Sequence, residues 1–317
     1  MSTSALERAV DGNYRHEAFF YCSNDDFMEG TLGFIRDALA DDERILVVLA
    51  ADRIAALRDE LGADSARVDF ADMGEVGGNP ARIIPAWQEF LVEHARPGHR
   101  VRGIGEPIWA TRSSAALAEC HRHEALLNIA FGDPEFWLLC PYDIEALDAA
   151  VIDEARRTHP FVRNSGRTKK SAGFLGSTAI AAPFDWPLPD PHSRPRSLVF
   201  ERTNLRDVRA LVEASATEAG LSDQRTADLV LAAYELSTNS VQHGGGRGTI
   251  RVWLHADDVV CEVRDSGRVT DPMLGRVRPS TDSAGGRGLW LANQLCDLVQ
   301  LRSFASETVA RLHMRVG

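Results

Sequence analysis

The chain has 317 residues, a formal net charge of −11, 44% hydrophobic residues and 26% charged residues, which suits about two soluble globular domains. Such acidity excludes a general nucleic-acid binder, which must set clustered Lys and Arg against phosphate; no basic run exceeds Arg167-Thr-Lys-Lys170. The segment Met1–His16 has no apolar core for a signal peptide, and the longest apolar stretch, Ile45–Ala51, is too short to span a bilayer. Five cysteines (Cys22, Cys120, Cys140, Cys261 and Cys296) are dispersed without C-x-x-C spacing, which reads as free thiols in a reducing compartment. The expectation is a cytoplasmic protein without a membrane span.

Short apolar runs predict strands at Ala18–Cys22, Arg44–Leu49, Arg67–Phe70, Arg100–Ile104 and Phe136–Cys140. Helical patterns lie between and after them, at Asp25–Leu39, Arg53–Leu61, Pro80–His94, Ser113–Ala130 and Ile144–Arg157. This alternation predicts an α/β domain with a mostly parallel sheet over residues 14–163. Periodicity then stops. Residues 164–196 are rich in Gly, Ser, Thr and Pro and read as a linker, whose Phe184 and Trp186 suggest docking on a domain surface. Residues 197–317 change order: a strand Ser197–Glu201, helices Leu205–Ala219 and Asp223–Gln242, then strands Thr249–His255 and Val259–Arg264. A helix from Gly288 and strands Leu298–Phe304 and Glu307–Val316 complete an α+β sandwich.

The second long helix of this half carries Glu235-Leu-Ser-Thr-Asn-Ser-Val-Gln-His243. Glu235, Asn239 and His243 are four apart and share one helical face, while Leu229, Ala233 and Leu236 form a separate apolar stripe. Alone, that polar face fits a solvent-facing stripe better than a site. Two further segments change the balance. A strand runs into Asp265-Ser-Gly267, where the carboxylate can accept from the exocyclic amine of a base and Gly267 leaves room for its ring. Then Gly285-Gly-Arg-Gly288 opens a helix whose first N–H groups suit phosphate oxygens.

The ordered set (Glu-x-x-x-Asn on a helix, Asp-x-Gly after a strand, Gly-x-Gly-Leu opening a helix) resembles the Bergerat, or GHKL, ATP-binding fold over residues 197–317. Within that group the compact length resembles the anti-sigma-factor serine kinases; a sensor histidine kinase would carry a helix with a phosphoacceptor His upstream, where this chain has a Pro-rich segment. The resemblance implies ATP and Mg2+ as cofactors, with Asn239 holding the metal and Glu235 acting as general base. It also implies that Asp265 reads the adenine amine, Gly267 shapes that pocket, and Gly286 and Gly288 support the phosphate lid. His243 and Arg287 lie near these positions and read equally as site residues or as surface or structural ones. One departure bears on affinity. The family pattern continues Asp-x-Gly-x-Gly, whereas Arg268-Val269 follows Gly267 here, which points to weak or partner-dependent nucleotide binding.

The first half lacks the P-loop pattern Gly-x-x-x-x-Gly-Lys-Ser/Thr. Its residues His16, Tyr21-Cys-Ser-Asn-Asp25, Gly105-Glu-Pro-Ile-Trp109, Glu119 to Asn128 and Phe136 to Asp143 resemble the MEDS sensory domain. That resemblance implies a RecA-like sheet without ATPase residues and a small-molecule signal. Glu106 and Trp109 follow a strand's C-terminal end, where clefts of parallel sheets form, and read as ligand contacts or as turn and core. Cys120, His121 and His123 are too close in sequence to converge on a metal from one helix. Together the resemblances imply a sensory anti-sigma regulator that captures a sigma factor and phosphorylates an anti-sigma antagonist on Ser or Thr, with homodimerisation through the kinase-like domain. A nucleotide-gated binding module without chemistry is the alternative, with a sensor histidine kinase a more remote one.

Overall fold

A computed structural model describes residues 14–131, 135–164, 166–176, 186–279 and 286–317. The chain separates into two units, residues 1–183 and 184–317.

The first unit runs β1 (Arg15–Tyr21), α1 (Asn24–Ala40), β2 (Arg44–Leu49), α2 (Ala51–Leu61), β3 (Asp69–Asp72), α3 (Met73–Val76), α4 (Ile83–His94), β4 (Val101–Gly105), α5 (Ser114–Ala130), β5 (Phe136–Asp143), α6 (Ala149–Thr158), β6 (Phe161–Asn164) and β7 (Arg167–Lys170). Its strands form one sheet in the order β3-β2-β4-β5-β1-β6-β7. Every pairing is parallel except β6 with β7. The inner strands are buried along nearly their whole length, as a parallel sheet covered by helices requires. Helix starts follow side-chain caps: Ser23 Oγ accepts from Asp26 N at 3.1 Å, and Ser113 Oγ from Ala116 N at 3.2 Å.

Three expectations are corrected here. The stretch 164–196 is not unstructured from its start, because β7 pairs antiparallel with β6 and Thr168 Oγ1 donates to Glu17 Oε1 at 2.6 Å. All four β7 side chains are exposed, so no apolar alternation marks the strand. The helix expected from Ile144 begins at Ala149, because Asp143 Oδ1 accepts from Glu145 N and Ala146 N (3.0 and 3.1 Å) and closes a turn first. The strand expected from Arg67 begins at Asp69, since Gly62–Arg67 is a 3-10 turn.

The second unit runs β8 (Arg196–Glu201), α7 (Leu205–Glu218), α8 (Asp223–His243), β9 (Arg247–His255), β10 (Asp258–Asp265), α9 (Arg287–Leu295), β11 (Leu298–Ser303) and β12 (Thr308–Arg315). Its sheet is wholly antiparallel in the order β11-β12-β10-β9-β8. Alternate residues Val259, Cys261 and Val263 of β10 and Ala310, Leu312 and Met314 of β12 face the helices. There they meet Val208, Val212 and Ala216 of α7 and Leu229, Ala233 and Leu236 of α8. Each large side chain buried in this way contributes about 1.5–3 kcal/mol.

The opposite face of this sheet is polar. Glu262 is fully buried and accepts from Arg251 (2.5 Å), Arg264 (2.7 Å) and Arg311 (2.6 Å). Burial alone would raise its pKa, but the Arg264 and Arg311 guanidinium groups hold the carboxyl below its ordinary value. Arg311 Nη2 also donates to Pro189 O at 2.9 Å, and Leu188 is buried. Trp186, expected to dock, is 75% exposed, and in its segment it is Leu188 that is buried; Phe184 lies outside the described residues. No helix among the described residues is long and apolar enough to cross a membrane. All five cysteines are free, and only Cys22 is exposed.

Candidate functional site

Helix α8 sets its apolar stripe against the sheet, and that docking fixes where its polar face points. Leu236 and Ser240 are buried on the side nearest β10, and Ser240 Oγ donates to Asp265 Oδ2 at 2.5 Å. The other carboxylate oxygen, Oδ1, accepts from Gly267 N at 2.7 Å. Two donors on opposite sides therefore hold the Asp265 carboxylate in one orientation at the end of β10. Gly267 O accepts from Thr308 Oγ1 at 2.8 Å, and Thr308 in turn bonds Ser303 at 2.8 Å, so the turn after β10 is tied to β11 and β12.

Gly267 has a steric reason to lack a side chain. A Cβ there would lie 2.9 Å from Asp265 Oδ1 and 3.0 Å from Gly244 Cα. Gly288 has another. A Cβ at that position would lie 2.7 Å from Asn239 Nδ2 and 3.2 Å from Glu235 Oε2. The start of α9 therefore rests directly on Glu235 and Asn239. Gly286 caps α9 with φ of +88°, a left-handed conformation that glycine adopts without strain, and its own lack of a side chain leaves the first turn uncapped among the described residues.

These pieces enclose a cavity of about 360 Å³ lined by Asn239, His243, Asp265, Gly267 and Gly286, with Val263 and Leu301 among its apolar walls. Glu235 is not on the lining; it stands beside the cavity, next to Gly288. The six residues singled out from sequence thus gather at the α8–α9–β10 junction. Ser240 and Thr308 were not among them. Ser240 reads in sequence as one more small residue, and its role depends on an Asp that reaches it only through the sheet. The segment after Gly267 is anchored as well: Val269 N donates to Ser303 Oγ at 2.8 Å, and Asn293 Nδ2 donates to Gly275 O at 2.9 Å. Gly285 and residues 280–284 of the expected lid lie outside the described residues.

The first unit has a cavity of its own, about 300 Å³, at the C-terminal ends of β1 to β5. Glu106 and Trp109 both line it, with Tyr21, Arg53, Asp72 and Asp143. Tyr21 Oη donates to Glu106 Oε1 at 2.7 Å, and Arg53 Nε lies 3.3 Å from Glu106 Oε2. Burial outweighs these partners and raises the Glu106 pKa to about 7. A carboxyl that binds its proton more tightly folded than unfolded contributes stability at low pH. Stability of the first unit is therefore expected to fall as pH rises from about 4.5 to about 7, and Glu106→Gln should flatten that part of a melting-temperature profile. An unchanged slope would remove Glu106 as its cause. Cys120 donates to Pro107 O at 3.3 Å, which accounts for it as a core thiol apart from any metal.

Residues 15–160 match the family model described as the methanogen/methylotroph, DcmR sensory domain, MEDS. Residues 198–315 match the model of the histidine kinase-like ATPase domain. The chain thus matches a MEDS sensory-domain model in its first half and a histidine kinase-like ATPase-domain model in its second. Among solved structures, the RsbU and RsbW domains of Rv1364c from Mycobacterium tuberculosis are similar at 24% identity and a TM-score of 0.30, over 39% of this chain and 32% of that one. The histidine kinase AdeS of Acinetobacter baumannii is similar at 12% identity and a TM-score of 0.23, over 39% of this chain and 70% of that one. This chain therefore spans about a third of the RsbU–RsbW structure. No curated protein matches it.

Proposed function

We propose that the second unit binds Mg-ATP in the α8–α9–β10 cavity and that the protein is a sensory anti-sigma regulator. The observation that carries the nucleotide reading is the Asp265 carboxylate, held by Ser240 and Gly267 on the wall of a cavity that Asn239 and Gly286 also line. A carboxylate fixed in this way suits an exocyclic amine, and the N–H groups at the start of α9 suit phosphate oxygens. The donor set also fits Mg2+, a hard cation that prefers oxygen. Asn239 lines the cavity, and its carboxamide oxygen would serve as the ligand. The metal supplies charge neutralisation of the triphosphate when bound.

Glu235, one helical turn from Asn239, would accept the proton of an incoming Ser or Thr hydroxyl on an antagonist protein. The motif set that resembles the anti-sigma serine kinases supports that assignment, together with capture of a sigma factor and dimerisation through this unit. The Glu106 cavity of the first unit would take the small-molecule signal. Incubation with labelled ATP and a cognate antagonist tests the chemistry. Glu235→Ala should lose transfer by about 100-fold or more while ATP binding stays within a few-fold of wild type. A second reading, a nucleotide-gated binding module, is favoured by Arg268-Val269 in place of a second glycine. Partner capture by both proteins with transfer by neither would establish it.

A further inference from the structure

Four residues distant in sequence meet inside the first unit. His16 of β1, Glu124 of α5, Cys140 of β5 and His159, which follows α6, are all buried, and one ligand atom from each lies within 4.8 Å of the others. Glu124 Oε2 is 3.1 Å from His16 Nε2 and 3.3 Å from His159 Nε2, and Cys140 Sγ is 3.4 Å from His16 Nε2. Tetrahedral coordination with bonds of 2.0–2.3 Å places neighbouring ligand atoms about 3.3–3.8 Å apart. The observed separations are close to those edges.

The tautomers of both histidines are set from behind. Asn128 Nδ2 donates to Thr158 O at 2.8 Å, which orients the amide so that its Oδ1 faces His16 Nδ1 at 3.2 Å. His159 Nδ1 faces the carbonyl oxygen of Ala155 at 2.8 Å. Both Nδ1 atoms therefore carry hydrogen, and both Nε2 atoms present lone pairs to the same carboxylate oxygen. The Cys140 thiol can donate to His16 Nε2, but His159 Nε2 and Glu124 Oε1 have no hydrogen-bond partner. A cation at the centre satisfies all four groups at once.

We propose that His16, Glu124, Cys140 and His159 form a closed four-coordinate site for a divalent transition-metal ion, with zinc the best match. Two imidazole nitrogens, a carboxylate and a thiolate are ligands that zinc takes in tetrahedral sites. Binding releases the Cys140 thiol proton to solvent, and the 2+ ion then balances one thiolate and one carboxylate. Asn128 and the Ala155 carbonyl act behind the ligands, orienting each ring through its Nδ1–H. With every ligand buried and supplied by the chain, the site is structural, pinning β1, β5, α5 and the turn after α6 together.

The test is a Co2+ titration of the full chain after treatment with a chelator, at neutral pH. One equivalent should give a near-ultraviolet thiolate-to-cobalt charge-transfer band with intense tetrahedral d–d bands, and Zn2+ should displace it and raise the melting temperature. Cys140→Ser should lose the charge-transfer band and Cys120→Ser should keep it. Should Cys140→Ser fail to fold by circular dichroism, His159→Gln, which retains the thiolate, should shift the d–d bands instead. A wild-type chain without a stoichiometric band, or a band that survives in folded Cys140→Ser, overturns the site whatever the other variants do.

Discussion

Asn239→Ala should abolish Mg2+-dependent ATP binding, with an affinity loss of roughly 100-fold or more, since loss of even a supporting group costs a metal site 10–100-fold. Calorimetry with ATP and ADP, with and without Mg2+, reads this directly. Asn239 lines the cavity, and its Nδ2 faces Gly288, so truncation removes the carboxamide without unpacking the apolar stripe of α8 on the sheet. The melting temperature of the unliganded variant should therefore stay close to wild type. Binding that needs Mg2+ in wild type and collapses in the variant makes partner phosphorylation the next question. A wild type that binds neither nucleotide would move the assignment to partner sequestration without nucleotide.

Gly288→Ala should be the most damaging single methyl group in the second unit. The added Cβ would lie 2.7 Å from Asn239 Nδ2 and 3.2 and 3.3 Å from Oε2 and Cβ of Glu235. Both neighbours lie on α8, whose core contacts leave it little freedom to retreat, so the strain passes into the Asn239 amide and the start of α9. Overpacking of this kind costs about 1–3 kcal/mol. The expected pattern is a lowered melting temperature with ATP affinity reduced at least tenfold, by about 1.4 kcal/mol on the binding scale. Glycine→alanine inside a helix ordinarily stabilises it by about 0.5–1 kcal/mol. A more stable variant with unchanged binding would thus show that α9 does not rest on Glu235 and Asn239.

Much of the site could be read from sequence because its parts are local patterns. Glu235 and Asn239 share a helix face by spacing alone, Asp265 and Gly267 share a turn, and Gly286 and Gly288 share a helix start. What could not be read is what the tertiary fold supplies. Ser240 becomes the partner of Asp265 only when α8 lies across β10. The histidine–glutamate–cysteine cluster joins residues whose close pairs are 108 and 124 apart in the chain, and no local period links them. The fold was legible in the same measure. Long buried strands such as β2 announce themselves by apolar runs, whereas β7, four residues with every side chain exposed, offers only charge and threonine. The α6 start was displaced because Asp143 can hydrogen-bond its own following backbone, a competition that propensity alone does not weigh.

The two borders of the first sheet share a design with consequences for assembly. β3 and β7 are four residues each, the one ending in Asp69 and Asp72 and the other carrying Arg167, Lys169 and Lys170. A second copy pairing β3 with β3, or β7 with β7, would set like charges side by side, the circumstance in which edge-to-edge growth is suppressed. Sheets that join two copies of this unit through the same border are therefore disfavoured at high concentration. A partner strand that extends this ladder must bring basic residues to β3 or acidic residues to β7.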